Sequence, residues 1–100
     1  MKEFVFEFWG ARHDPKWDAY FLLGRLRRGT VSIGDKIIVS TAERQEVGTV
    51  DHFWDNLYGN EWLGWFSSLS TDTIADPFCI KLSGLSSMPL CPSTAYGKLS

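Results

Sequence analysis

The side chains that could perform metal, acid–base or nucleophilic chemistry are few and widely separated in this chain. His13 and His52 are the only histidines, and two predicted strands lie between them. A metal site would therefore need carboxylates for most of its ligands. His13 precedes Asp14 and Pro15 in a sequence typical of a turn, whereas His52 has the position of a half-exposed strand residue. We expect neither histidine to bind a metal.

The other catalytic signatures fail on residue order or on spacing. Residues 29–36 superficially resemble a phosphate-binding loop, but no serine or threonine follows Lys36. Ser86 and Ser87 lack the Gly-x-Ser-x-Gly elbow and have no histidine nearby. Two acid pairs are spaced for general acid–base work, but without a predicted cleft they are surface charges: Asp51 with Asp55, and Asp72 with Asp76. We therefore expect a protein that is not an enzyme and holds no cofactor or metal.

The cysteines and the apolar runs bear on the compartment. Cys79 lies in the apolar stretch 78–82, where a reduced and buried thiol is common, and Cys91 lies in the C-terminal region. Neither has another cysteine or a histidine at ligand spacing, which favours free thiols in a reducing compartment. The chain starts without an apolar leader, and its longest wholly apolar run is 19–23. We expect a cytoplasmic protein without a membrane span.

The charge is slightly negative overall and unevenly distributed. A net charge of −2 disfavours nucleic acids and anionic lipid surfaces as partners. Basic residues are concentrated in 24–44, whereas residues 45–80 contain six acids and no lysine or arginine. If these acids share a face, they favour a basic protein partner. If they are scattered over loops, they are solvated surface charges.

Period-two patterns dominate the sequence and must position any site. Phe4, Phe6 and Phe8 share one side of a first strand, with Glu3, Val5, Glu7 and Trp9 on the other side. A charged loop over 10–18 follows. Further strands are predicted at 18–27, 36–40, 45–53 and 78–82. The stretch 24–39 is typical of a strand, a tight turn that begins near Arg28, and a second strand. Gly29 and Gly34 suit positive φ, and the Asp35 carboxylate suits bonds to turn amides.

These elements predict an all-β fold, a small closed or nearly closed antiparallel β-barrel of about six strands. One hundred residues make one domain, which we place at residues 1–87. Residues 88–100 contain two prolines and several small polar residues, and we predict an irregular C-terminal tail there. Whether this tail completes the barrel, and whether an open sheet edge pairs with a second copy, stays open.

The stretch 24–39 resembles the second domain of translation-factor GTPases, the small β-barrel best known from elongation factor Tu. In that family a strand ending in Gly-Arg-Val leads through a glycine-bearing turn and a Gly-Asp pair into an apolar strand. Residues 44–53 and 78–85 are similar to later strands of the family. The resemblance implies a translation factor fold, elongation factor Tu domain 2-like, standing alone without the nucleotide-binding domain.

The resemblance also implies a role for the basic residues of this hairpin. Barrels of the family touch ribosomal or transfer RNA, so phosphate-binding candidates follow by similarity: Arg25, Arg27, Arg28 and Lys36. A structural role is simpler, because an arginine stem can cover the barrel while its guanidinium meets an acid. So few cations in a chain of net charge −2 would bind RNA only weakly.

The connection after the fourth predicted strand departs from the family. A compact turn is replaced by a long loop rich in aromatic residues, and loops of this length often have a function. Tryptophan and tyrosine are frequent anchors of protein interfaces. The candidate protein-interaction residues are Trp54, Asp55, Tyr58, Glu61, Trp62 and Trp65. The alternative is that these aromatics pack on the core or close one end of the barrel.

Three functions are consistent with these observations. The preferred one is a non-catalytic intracellular module for protein–protein interaction, which uses the acidic aromatic segment (residues 51–76). Such a module would be a regulator, or a small inhibitor or immunity-type protein. The alternative is an RNA- or ribosome-associated accessory domain. A third hypothesis is a small-molecule binder with its ligand in the barrel mouth, beneath the tryptophans.

Overall fold

The computed structural model describes residues 3–57 and 66–97. Within these ranges the chain forms seven strands and no helix, and therefore no helix suited to crossing a membrane. The strands are β1 (Phe4–Asp14), β2 (Ala19–Ser32), β3 (Lys36–Ser40), β4 (Gln45–Trp54), β5 (Ser68–Ser70), β6 (Phe78–Ser83) and β7 (Ser93–Gly97).

Six of these strands close into an antiparallel barrel. Neighbouring strands follow the order β1, β7, β3, β4, β6, β2, and the pairing of β2 with β1 closes the sheet. The remaining strand, β5, pairs with the C-terminal end of β2 through Thr30 to Ser70 and Val31 to Leu69. The prediction of an all-β closed barrel of about six strands is confirmed.

The alternation in the strands fills the barrel with aromatic side chains. Phe4, Phe6 and Phe8 all point inward from β1 and are buried, as their period-two spacing predicts. The ring of Phe78 lies 5.3 Å from that of Phe6 and 6.0 Å from that of Phe53, measured between centroids. Aliphatic side chains from the other strands complete the interior: Leu22, Ile37, Val39, Val50, Ile80 and Leu82. These closely packed side chains therefore fill the inside of the barrel.

A second, smaller apolar cluster lies on the outer face of the sheet. The residues that follow the inward positions on β2, β4 and β6 point outward, yet they too are buried: Ala19, Phe21, Trp54 and Cys79. Leu23 and Leu57 pack against them. The chain that leaves β4 therefore covers part of the outer face of the barrel.

The predicted charged loop at 10–18 is wrong over most of its length. β1 continues to Asp14 and pairs with β2 in register, from Gly10 opposite Leu23 to Asp14 opposite Ala19. Only residues 15–18 turn the chain, with Asp18 at φ 48°. Within the extension, the Arg12 guanidinium stacks over the ring of Phe21, 4.8 Å from its centroid. Pairing with an apolar strand thus overrides the local charge of this segment.

The predicted irregular tail contains a strand. β7 lies between β1 and β3, with Ala95 opposite Phe6 and Tyr96 opposite Ile38. Pro89 and Pro92 precede this strand, so its backbone donors stay available for pairing. The tail therefore completes the barrel, which the small polar residues in this stretch did not indicate.

In the stretch 24–39, Gly29 and Gly34 have the positive φ angles that were predicted, but the turn lies at a different place. Gly29 has φ 83° and Gly34 has φ 92°. The Asp35 carboxylate accepts a hydrogen bond of 2.9 Å from the Ser32 amide, which confirms its role in the turn. However, β2 continues through Gly29 to Ser32, and the chain turns at residues 33–35.

A register shift in β4 corrects the predicted alternation. Strict period two would place Val50 and Phe53 on opposite faces, yet both are buried in the barrel interior. The pairing with β6 shifts between Val50 and His52, and the additional residue is Asp51. A bulge of this kind restores the inward orientation of Phe53 and sends Trp54 to the outer face.

Candidate binding surfaces

The basic residues proposed from the family resemblance are engaged with neighbouring side chains. Arg27 donates to Glu7 at 2.9 Å, and the weaker pair of Arg28 with Glu3 spans 3.5 Å. Lys36 donates to the Thr49 hydroxyl at 2.7 Å. These contacts join β2 to β1 and β3 to β4. They correspond to the structural role that the sequence left as the simpler alternative.

Arg25 is half-buried and lies opposite Glu7 in the β1–β2 register. Its Nε is buried and has no hydrogen-bond partner among the described residues. Burial of this kind limits the contact that its guanidinium can make with a nucleic acid phosphate.

One of the aromatic candidates, Trp54, is described by the structure, and it is packed. Trp54 is only 9% exposed, and its ring lies 4.5 Å from that of Phe21. It is a packing element of the outer cluster. The neighbouring Asp55 is half-buried, and its Oδ1 is buried without a hydrogen-bond partner among the described residues. The remaining candidates lie outside the described residues: Tyr58, Glu61, Trp62 and Trp65.

The acids of β4 interact with serines. The Ser86 amide and hydroxyl donate to Glu46 at 2.7 and 2.8 Å, and the Ser87 hydroxyl donates at 2.9 Å. The bond from the Ser86 backbone lowers the pKa of the Glu46 carboxyl, with smaller help from the hydroxyls and from Arg44. Asp51 accepts a hydrogen bond of 3.1 Å from Ser83. Ser86 and Ser87, on the connection between β6 and β7, therefore hold the Glu46 carboxylate of β4.

The histidines and cysteines take structural positions. His13 stacks on Tyr20 with centroids 4.5 Å apart and contacts Asp18 at 3.2 Å. Both cysteines are free thiols, as predicted. Full burial raises the pKa of the Cys79 thiol to about 12. Among residues 3–57 and 66–97, no three His, Cys, Asp or Glu side chains are grouped to hold a metal ion.

An exposed apolar row crosses the outer face of four adjacent strands. Val5 on β1 pairs with Tyr96 on β7, Tyr96 pairs with Ile38 on β3, and Ile38 pairs with Val47 on β4. We call these four side chains the outer row. Tyr96 is 50% exposed and Val47 is 41% exposed. Cross-strand neighbours on one face lie in contact range, so the row presents a continuous apolar strip.

Two tryptophans also lie on the surface, outside this row. Trp17 lies in the turn between β1 and β2, is 57% exposed, and has the Lys81 ammonium 4.5 Å from its ring. Trp9 is 45% exposed and lies on β1. The outward side of the first strand, read from the alternation of Val5, Glu7 and Trp9, is the signal that locates this surface. This alternation is visible in the sequence, but the acidic aromatic segment contains more aromatic residues and therefore gave the stronger signal.

No protein-family model matches this chain, and a search of curated proteins finds none with significant similarity. The function of the barrel must therefore be argued from its own surfaces.

Proposed function

We propose that this chain is a non-catalytic binding module whose partner is another protein. The outer row is the observation that carries this proposal. It places apolar side chains from four strands side by side on the outer face, with Val47 and Tyr96 exposed and Val5 and Ile38 half-buried, on a barrel whose interior is already filled by phenylalanines. Interfaces owe much of their binding energy to such partly exposed aromatic and aliphatic groups, with tyrosine and tryptophan most prominent.

In this proposal the acidic aromatic segment forms a second part of the contact surface. It begins on β4, and directly after that strand Asp55 presents a half-buried carboxylate with one oxygen that has no hydrogen-bond partner among the described residues. A buried acceptor without a donor costs free energy, and a donor from a partner would remove that cost. Residues 45–80 have no lysine or arginine, so a basic partner is favoured. The free thiols fit a cytoplasmic site of action with a regulatory or inhibitory role.

The finer assignment, a barrel of the translation factor domain 2 type, is part of the same proposal and depends on the resemblance of residues 24–39. Its RNA-binding alternative is disfavoured by the ion pairs of Arg27 and Arg28 with β1 acids. The third hypothesis, a small-molecule ligand, would have to use an end or the outer surface of the barrel, because side chains fill its interior.

Affinity capture with three forms of the chain tests the proposal. The unmodified chain, the double variant Trp62→Ala with Trp65→Ala, and the double variant Arg27→Glu with Arg28→Glu would each be immobilised and exposed to a native cell extract. We expect the unmodified chain and the arginine variant to retain the same basic protein, and the tryptophan variant to lose it. Circular dichroism and thermal unfolding check that each variant keeps the fold.

The opposite pattern would support the RNA alternative. Retention that ribonuclease abolishes, and that the arginine variant loses while the tryptophan variant keeps it, contradicts a protein partner. Tyr96→Ala adds a separate test of the outer row, because its side chain is half exposed and its loss costs little packing.

A further inference from the structure

A pocket opens on the outer face of the barrel where β7 begins beside β1. Its volume is about 300 Å³, and its walls are formed by Glu7, Phe8 and Trp9 of β1 with Pro92, Ser93 and Thr94 at the start of β7. None of its residues belongs to the acidic aromatic segment. The residues that line the pocket include a tryptophan, an acid and two residues with hydroxyl groups.

The position of Trp9 in this pocket results from an irregularity in β1. Phe8 pairs with Gly24 and Gly10 pairs with Leu23, so Trp9 is an additional residue on its strand. A bulge re-aims the side chain of the additional residue. Trp9 lies directly after Phe8, the last residue of β1 that pairs with β7. Trp9 is 45% exposed, and it lines the pocket together with Glu7.

The chemistry of the pocket favours an organic cation. An indole face attracts a guanidinium or ammonium group, and a nearby carboxylate adds a charge-assisted hydrogen bond. No lysine or arginine lines the pocket. Glu7 accepts from Arg27 through Oε1, which leaves Oε2 to accept a second donor. Thr94, which pairs with Glu7 across β1 and β7, adds a hydroxyl on the same face.

The pocket is continuous with the outer row. Glu7 and Thr94 are paired across β1 and β7, and Val5 and Tyr96 form the next pair on the same face. Two residues along a strand cover about 7 Å. An extended segment that places a basic side chain in the pocket would therefore place the side chain two residues away on Val5 and Tyr96.

We propose that this pocket binds an arginine or lysine side chain of the partner protein, carried on an extended segment with an apolar residue two positions away. The inference rests on the proposed function and names the chemistry of its partner. The basic group lies over Trp9 and bonds to Glu7, while the apolar residue packs on Tyr96.

Titration with a designed heptapeptide tests the inference. The probe is acetyl-Ser-Thr-Arg-Thr-Leu-Thr-Ser-amide, and its matched control contains citrulline, the neutral isostere of arginine. Binding is followed by fluorescence anisotropy of labelled peptide and by the indole N–H signal of Trp9 in NMR spectra. We expect the citrulline peptide to bind at least about tenfold more weakly, because the charge supplies both pocket contacts.

Variants of the chain give the complementary comparison. Trp9→Ala and Glu7→Gln should each weaken binding of the arginine peptide by about tenfold, and Trp17→Ala should leave it unchanged. Trp17 is the matched control because it is also a surface tryptophan, 57% exposed against 45% for Trp9, and does not line the pocket. Thermal unfolding of each variant shows that the barrel is intact.

Three results would overturn the inference. They are equal binding of the two peptides, no movement of the Trp9 signal at millimolar peptide, and binding of acetyl-arginine-amide as tight as that of the heptapeptide. The last would indicate a small free cation as the ligand. These outcomes leave the proposed function standing if the acidic aromatic segment still captures a protein, so the two failures are distinguishable.

Discussion

The ring of Trp54 packs on the ring of Phe21 with centroids 4.5 Å apart and planes inclined by 35°. The two residues come from β4 and β2, and neither strand pairs directly with the other, since β6 lies between them. Cys79 of that middle strand pairs with Trp54 and belongs to the same apolar cluster. A tryptophan at the start of an aromatic loop is therefore part of a second apolar cluster on the outside of the barrel.

Loss of this contact should lower stability. We expect Trp54→Ala to reduce the free energy of unfolding by about 3 kcal/mol or more, because a large buried side chain is replaced by a cavity. Trp17→Ala is the control, since its side chain is 57% exposed, and its effect should stay below about 0.5 kcal/mol. Urea unfolding followed by circular dichroism measures both. Equal effects would contradict the packing role of Trp54.

Gly29 and Gly34, two of the three described glycines with positive φ, should differ in their tolerance of a side chain. Gly34→Ala should cost about 1–2 kcal/mol, because φ is 92° and nothing lies within 4 Å of the added Cβ. Gly29→Ala carries the same backbone strain and also drives its Cβ into the Glu3 carbonyl oxygen. We expect it to cost about 1–3 kcal/mol more. Thermal unfolding of the pair checks the close approach of β1 and β2.

The C-terminal strand can be tested by charge placement on its two faces. Ala95 is fully buried between β1 and β3, and Tyr96 beside it is 50% exposed. Ala95→Glu should unfold the barrel or destabilise it by several kcal/mol (about 3 or more), because a carboxylate would enter the aromatic interior. Tyr96→Glu should change stability by less than about 1 kcal/mol. Similar effects of both variants in urea unfolding would mean that residues 93–97 are not a strand.

The buried thiol of Cys79 should make stability depend on alkaline pH. Its pKa rises from 9.0 to about 12 in the fold, so between these values the unfolded chain loses a proton that the folded chain keeps. The free energy of unfolding should fall by about 1.4 kcal/mol per pH unit from this group as the pH rises above about 9. The slope is measured by urea unfolding in a Cys91→Ala background.

A matched variant isolates the contribution of this thiol. Adding Cys79→Ala to the same background should flatten the slope by that amount, whatever it costs in packing. In the unmodified chain a thiol reagent at neutral pH should modify the exposed Cys91 quickly and Cys79 only after unfolding. Rapid modification of both thiols in folded protein would contradict the burial of Cys79.

Several features of the barrel were readable from the sequence because they depend on near neighbours. The alternation of Phe4, Phe6 and Phe8 places three rings on one side of a strand in any sheet. The turn chemistry of Gly34 and Asp35 involves residues within one turn of each other. The β3 strand, Lys36–Ser40, was predicted with the observed bounds.

Other features involve partners far apart in the sequence. The charged residues 10–14 became strand because residues 19–23 pair with them, and β7 formed because β1 and β3 leave a position between them. The candidate binding surfaces likewise combine features that the sequence indicated with features that depend on distant residues. Arginine ion pairs with β1 acids were among the sequence alternatives, but the burial of Trp54 and the pocket at Trp9 depend on two bulges whose positions no local pattern marked.

The amino-acid order by itself determined that this chain forms strands with one apolar face and one mixed face, since side chains alternate sides at each residue. Only the tertiary structure decided which strands are neighbours, where the register slips, and therefore which tryptophan is packed and which is exposed. The physical reason is that a bulge moves every later side chain to the opposite face. Contacts between distant parts of the chain stabilise such a bulge, as those of Phe53 in the interior and of Trp54 with Phe21 do here.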